Sequence, residues 1–235
     1  MELNFKEHLK AVEKNIGISF ENKHLLETAL THSSYANENK NAKFNERLEF
    51  LGDAVLELST SEYLFKTFSN IPEGELTRKR ALVVCETSLY GISQRWELGK
   101  YIRMSKGEEL TGGRTRVSIL ADCVEAIIAA VYLDKGFKFA KAFVVEVFRN
   151  IIEKAMRDEI ILDYKTKLQE VLQVKGKVDI KYELIKYEGP PHRRKFYVRL
   201  SFDNSIKAYG DGYTKKEAEQ CAAYTALKGL KVLNE

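Results

Sequence analysis

Four acidic side chains, Glu46, Glu49, Asp53 and Glu57, recur at spacings of three, four and four within NERLEFLGDAVLEL (45–58). In a helix that spacing stacks them on one face. At roughly 100° per residue, with Glu46 at zero, Glu49 falls at about −60°, Asp53 at about −20° and Glu57 at about +20°. Leu48, Leu51, Val55 and Leu58 gather between about 120° and 200°. No lysine interrupts the acidic stripe. A solvated face usually mixes signs, because opposite charges four apart help a helix by about 0.2–0.5 kcal/mol and like charges cost as much. Phe50 falls at about 40°, beside the carboxylates. An aromatic ring there implies either that something covers this face or that the apolar face is broad enough to take the ring into the core.

A second acidic pair stands in SILADCVEAIIAAVYLD (118–134), which is apolar nearly all round and so expected to be buried. Asp122 and Glu125 lie three apart on one face of it. Buried, unpaired carboxylates are costly, and two arrangements avoid that cost. Arginines could satisfy them, with Arg47, Arg114 and Arg116 as candidates. Alternatively, the two acidic faces meet around a cation. All-carboxylate ligation favours a hard ion, Mg²⁺ or Mn²⁺. Such an ion serves phosphoryl chemistry by polarising the phosphoryl oxygen and activating a water.

Positioning two such faces requires long helices packed in one domain. Up to about residue 160 the apolar period predicts helices over 4–15, 22–30, 44–68, 74–97, 116–133 and 137–158. SNIPEGEL (69–76) and GEELTGGR (107–114) carry Pro and Gly and read as loops. Beyond 160 the period changes. DYKTKLQEVLQVKG predicts a helix with Tyr164, Leu168, Val171 and Leu172 inward and Gly176 past its end. Tyr182 and Leu184 then alternate with charges. KFYVRLSF places Phe196, Val198, Leu200 and Phe202 on one face of a strand and Tyr197, Arg199 and Ser201 on the other. SIKAYGDG reads as a third strand. Thr214 with Glu217 three residues on forms a capping-box pattern before an alanine-rich helix. The expectation is multidomain, α and α+β: an all-α domain over 1–160, then an αβββα domain over 161–235.

Composition agrees with that division. The 235 residues are 44% hydrophobic, enough for one large core and one small one. Residues 163–235 hold 15 Lys and Arg against 10 Asp and Glu, whereas the first 162 residues carry a net charge of −1. A basic tail points to a polyanionic partner. The three cysteines are odd in number and far apart with no CxxC, which argues against a disulfide framework or zinc site and fits a reducing cytosol. MELNFKEHLKAVEK lacks a signal-peptide core. The most apolar segment is interrupted by Asp122 and Glu125, so no membrane span is expected.

NERLEFLGDAVLEL resembles the signature of the bacterial ribonuclease III family. THSSYANE (31–38), GGRTRVSILADCVEAIIAAVYLD and the αβββα tail are similar to that family in its order. Ala129 and Cys123-Val124 depart mildly from it, on the packing side. The resemblance implies a helical nuclease domain followed by a double-stranded-RNA-binding domain. It implies an Mg²⁺-dependent endonuclease of double-stranded RNA, with Mn²⁺ as a substitute, leaving 5′-phosphates, 3′-hydroxyls and two-nucleotide 3′ overhangs. Ribosomal RNA precursors and some mRNA and tRNA transcripts are the implied substrates, and the implied setting is cytoplasmic. Glu49, Asp53, Asp122 and Glu125 match the family's metal ligands, with Asp53 and Glu125 at the positions called catalytic. Glu46 matches a possible accessory acid and Glu57 matches no ligand. Phe50 matches a position whose ring plugs into a second subunit, implying a homodimer. LTRKR (76–80) is either a phosphate contact or a plain solvated face.

A-form RNA is recognised by shape across its minor grooves. Gln169 and Glu170 match the minor-groove contacts of the tail's family. His192 in GPPHRRKF (189–196) matches the reader of the next groove, and Lys215 and Lys216 match the phosphate clamp at a helix N-terminus. The alternative is a catalytically silent protein that only holds double-stranded RNA. Loss of one of the four carboxylates would favour it, and all four are present.

Overall fold

A computed structural model describes residues 2–160, 163–174, 178–190, 194–203 and 205–232. The chain divides into two compact units, Met1–Glu159 and Ile160–Glu235.

Helices build the first unit: α1 (Glu2–Ile16), α2 (Lys23–Ala29), α3 (Ser33–Glu38), α4 (Glu46–Thr67), α5 (Glu73–Val84), α6 (Glu86–Arg95), α7 (Lys106–Leu110), α8 (Val117–Lys135) and α9 (Phe137–Met156). Helix α8 is its axis. Eleven of its residues, from Ile119 to Val131, are buried, as an all-round apolar helix requires. Helices α4, α6, α2 and α9 surround it.

The helix expected over 74–97 is two helices. Cys85 is extended (φ −71°, ψ 155°), closing α5 and capping α6. The Ser88 hydroxyl donates to the Leu82 carbonyl at 2.8 Å, and the Cys85 thiol donates to it at 3.3 Å. Side chains thus satisfy a helix end that apolar periodicity does not mark. GEELTGGR, expected as a loop, holds α7 and a 3₁₀ turn, Gly113–Thr115. The Ser105 hydroxyl starts α7 by accepting from the Glu108 N–H at 3.1 Å. THSSYANE supplies α3, a helix the periodicity did not predict.

LTRKR is not a plain solvated face throughout: Thr77 and Arg78 are exposed, but Lys79 turns inward. Lys79 is fully buried. Its ammonium donates to the Ala155 carbonyl at 2.9 Å and pairs with Asp158 at 2.9 Å. A buried cation needs such partners, and here they are the last carbonyls of α9, where the helix dipole is negative.

The second unit runs α10 (Tyr164–Gln173), β1 (Lys181–Glu188), β2 (Lys195–Phe202), β3 (Ser205–Gly212) and α11 (Lys215–Gly229). The strands form one antiparallel sheet in the order β1-β2-β3. Val198, Leu200 and Phe202 point inward against Leu168, Leu172 and the alanines of α11. Tyr164, Val171, Tyr182 and Phe196 pack at the margin of that core. Leu184 lies largely exposed, at a register shift between Leu184 and Lys186. A Cβ at Gly210 would lie 2.1 Å from the Ala222 nitrogen, so glycine is what lets β3 touch α11. Gly176 lies outside the described residues.

Candidate functional site

Helix α4 does not bury the face centred on its leucines. Leu48, Gly52, Val55, Leu56, Ser59, Thr60 and Leu64 are buried, while Leu58 is 56% exposed. The buried arc is rotated toward the carboxylates, and Gly52 is the reason. A Cβ there would sit 1.9 Å from the Glu125 carbonyl oxygen. Only glycine lets α4 cross α8 at that point, and the crossing brings the two acidic faces together.

At the crossing, one carboxylate oxygen from each of Glu49, Asp122 and Glu125 lies within 4.8 Å of the others, and all three residues are half-buried. No described arginine answers them. Arg114 is engaged by Glu109 and by the carbonyls of Gly99 and Ile102. Arg116 pairs with Glu108. Arg47 forms no ion pair among the described residues. The arrangement in which arginines satisfy the acids is thereby excluded for Arg114 and Arg116.

The electrostatic consequence is strong. Burial, then Asp53, Asp122 and Glu49, push the Glu125 carboxyl up to about 8. Burial, then Asp122, Glu46 and Asp53, raise Glu49. Burial and then Glu86 raise Asp122, with His32 pulling the other way. Crowding and burial raise the proton affinity of each of the three carboxyls. A hard cation relieves that crowding, and the all-oxygen donor set fits one.

The other expected residues sort themselves around this cluster. Asp53 lies outside the 4.8 Å group but acts on both Glu125 and Glu49, and it is exposed. Glu46 is exposed and acts on Glu49. Glu57 is exposed, like an ordinary solvated acid. Phe50 is 82% exposed, which removes the reading that places its ring in the protomer's own core. Glu86 and His32, which flank Asp122, carried no periodic signal pointing to the cluster. Each sits at a helix start fixed by non-repeating contacts.

In the second unit Gln169 and Glu170 are exposed on α10, and Lys215 and Lys216 are exposed on the first turn of α11. Gln169 and Lys216 line one depression with Tyr182. The Thr214 hydroxyl accepts from the Glu217 N–H at 3.0 Å. Glu217 returns its bond to the Tyr213 N–H, one residue earlier than a capping box requires. Gln220, which the sequence reading missed, ties α11 to the start of α10. It accepts from the Tyr164 N–H at 2.7 Å and donates to Asp163 at 2.7 Å. That bond, with the Thr166 N–H, holds the Asp163 carboxyl down at about 2. His192 lies outside the described residues.

Residues 22–152 match the model of the family described as Ribonuclease-III-like, and residues 164–230 match the double-stranded RNA binding motif. Ribonuclease 3 of Clostridium acetobutylicum is 69% identical over 94% of this chain and 96% of its own length. Ribonuclease 3 of Clostridium tetani is 59% identical over 97% of each. The solved nuclease domain of a Campylobacter jejuni ribonuclease III, described for flexibility in a region involved in dimer formation, is 44% identical. It covers 60% of this chain and 96% of its own, with a TM-score of 0.57.

A helical unit with a carboxylate cluster, joined to a double-stranded-RNA-binding unit, defines an RNA nuclease that works on duplexes. The chain belongs to the ribonuclease III family. It is a double-stranded-RNA endoribonuclease of a divalent-metal-dependent family, and no helix among its described residues is long and apolar enough to cross a membrane.

Proposed function

We propose that Glu49, Asp122 and Glu125, with Asp53 at the edge of the cluster as a fourth ligand, hold Mg²⁺, with Mn²⁺ as a substitute, and that Asp53 and Glu125 are the catalytic carboxylates. The observation that carries this reading is the crowding of three half-buried carboxylates with no cation among the described side chains. The bound ion would polarise the scissile phosphate and lower the pKa of a water. Asp53, exposed beside the cluster, is suited to accept a proton from the attacking water. Hydrolysis places hydroxide on phosphorus and a proton on the departing 3′ oxygen. The products are then a 5′-phosphate and a 3′-hydroxyl. Glu46 serves as an accessory acid that adds negative charge at the edge of the site.

Two cuts on opposite strands need two centres, which a symmetric pair supplies. We assign the dimer contact to Phe50. The same unit offers an apolar hollow of about 700 Å³ at the end of α4, lined by Leu64, Phe65, Phe68, Ile71 and Leu76, which is large enough for a phenyl ring from a second copy. The staggered product then has two-nucleotide 3′ overhangs. Gln169 and Glu170 read one minor groove, His192 the next, and Lys215 and Lys216 hold the phosphates between them. Ribosomal RNA precursors and structured mRNA and tRNA transcripts are the substrates. Three free thiols fit a cytoplasmic setting.

A long RNA duplex incubated with Mg²⁺, and separately with EDTA, tests the core of this reading. Cutting into overhanging fragments with Mg²⁺ alone is the expected result. Equal cutting in EDTA would remove the metal from the mechanism.

A further inference from the structure

The RNA-binding unit gathers cations at one end of its sheet. There β1 ends and β2 begins, with Tyr187 paired to Phe196 across the ladder and Phe196 paired to Gly212 of β3. Directly paired residues project to the same face of a sheet. Phe196 packs at the margin of the core, so Tyr187 lies on the helix side. Gly212 meets the first turn of α11. A Cβ there would lie 2.5 Å from the Glu217 Cβ and 2.7 Å from the Ala218 nitrogen. Tyr187 therefore shares a face and an end with Lys215 and Lys216, which are exposed on that turn.

Arg194, the residue before β2, stacks on Tyr187. Its guanidinium carbon lies 4.5 Å from the ring centroid. The Tyr187 ring in turn sits 6.3 Å from that of Phe196. The neighbouring cations are already answered: Lys195 pairs with Asp211 at 2.7 Å and Lys186 with Glu188 at 2.5 Å. Arg194 has no carboxylate partner among the described residues, and neither have Lys215 and Lys216. The Arg194 Nε is buried without a hydrogen-bond partner among the described residues, while Tyr187 stays 55% exposed. The charge of Arg194 is thus not spent inside the unit. A planar guanidinium held flat on a ring loses little freedom when it meets an oxyanion, and its fork of N–H groups suits phosphate.

We propose that Arg194 is a third phosphate contact of the RNA-binding unit, held flat by Tyr187 so that it and the Lys215–Lys216 pair grip the backbone of one RNA duplex. Tyr187 is a positioning residue: it aims the cation without touching the duplex. The inference rests on the reading of Lys215 and Lys216 as phosphate contacts. A cation that neutralises a phosphate releases counterions, so the salt dependence of binding reports each such contact.

The probe is a fluorescein-labelled RNA duplex of about 20 base pairs, longer than the roughly 16 that one such unit spans. The full chain is titrated onto it in EDTA at several salt concentrations, beside thermal melts of each variant. Arg194→Gln keeps a polar stem and loses the charge. It should weaken binding about fivefold or more and flatten the slope of log affinity against log salt by about 1. Tyr187→Ala should weaken binding about two- to fivefold, and Tyr187→Phe, which keeps the ring, should recover that loss. Wild-type affinity and slope in Arg194→Gln overturn the inference. So does a loss of affinity at unchanged slope with a lowered melting temperature, which marks a packing role. Wild-type affinity in Tyr187→Ala overturns the part given to the ring. Lys215→Ala with Lys216→Ala is the control. If that pair weakens binding and Arg194→Gln does not, the lysine reading stands and only this inference falls. If neither weakens it, both fall together.

Discussion

The two units carry charge in opposite ways. At the crossing of α4 and α8 three acidic side chains are forced together, half-buried and with no lysine or arginine paired to them among the described residues. On the outer surface of the RNA-binding unit charges are exposed and mostly answered. Arg199 pairs with Glu183 at 2.8 Å, Lys195 with Asp211 at 2.7 Å and Lys186 with Glu188 at 2.5 Å. Exposed pairs of this kind are worth little stability, about 0–1 kcal/mol each. The difference teaches where the fold works against its own electrostatics. It does so at the proposed cation site, by setting Gly52 on the backbone of Glu125. Reading an RNA duplex by shape needs no such strain, only solvated charge on a rigid frame.

The contrast breaks first at Glu125. Glu125→Gln removes one charge from the cluster with almost no change of shape, and leaves α10 and α11 untouched. Cutting of a long duplex should fall by about a thousandfold or more, as loss of several kcal/mol of charge stabilisation requires. Duplex binding, measured by gel shift on the same preparation, should stay near wild type. Wild-type cutting at saturating Mg²⁺ would sink the catalytic assignment.

Next in size is Phe50, at the exposed edge of the acidic helix. Burying a ring of that size contributes on the order of 1.5–3 kcal/mol, and a symmetric contact counts it twice. Phe50→Ala should therefore move the monomer–dimer equilibrium well over tenfold. Sedimentation across a dilution series reads the shift. An equally tight mutant dimer would refute the plug. Because Phe50 is 82% exposed in the single chain, the monomer's own melting temperature should hardly change.

The RNA-binding surface should respond more gently and in a different variable. Lys215→Ala with Lys216→Ala should weaken duplex binding uniformly across sequences. It should also flatten the slope of log affinity against log salt by about 1–2, roughly one per lost phosphate contact. An unchanged slope would mean that both lysines are merely solvated. The same double substitution should leave Mn²⁺ binding by the nuclease unit intact.

The two units also differed in how far their sequence disclosed them. The αβββα order was legible because each element carries its own period, as in KFYVRLSF, where Val198, Leu200 and Phe202 are buried as the alternation requires. The carboxylate set was legible because two helices repeat their acids at helical spacing. What stayed hidden was set by single contacts with no period. The break at Cys85 depends on the bond from Ser88 to the Leu82 carbonyl. Lys79 sits in a run that looks solvated, yet it is buried against the end of α9. The rotation of α4, which exposes Leu58, follows from one glycine meeting one carbonyl. Patterns report faces, and such point contacts decide how the faces meet.

The smallest expected effect sharpens the comparison through pH. In the metal-free protein the Glu125 carboxyl is pushed up to about 8 from 4.5, chiefly by burial, and Glu49 and Asp122 shift the same way. A carboxyl raised on folding binds its proton more tightly in the native state than in the unfolded chain. The unfolded state therefore binds fewer protons between about 4.5 and 8, and stability falls with rising pH across that window. Asp163 in the other unit has the opposite sign. Its carboxyl is held down at about 2 from 3.8, chiefly by the Gln220 bond. Its contribution is present above about 3.8 and is lost as pH falls toward 2. Calorimetry in EDTA should thus show the nuclease transition dropping by about 2–4 °C between pH 6 and pH 9. Mg²⁺ or Mn²⁺ should reverse that drop at pH 8, because a bound cation replaces the protons that the cluster has given up. At pH 5 the ions should do little, since protons already neutralise the crowding. A nuclease transition that stays flat from pH 6 to 9 in EDTA would show that the three carboxylates are relieved by something other than a cation site, and the reading of α4 against α8 would have to be rebuilt.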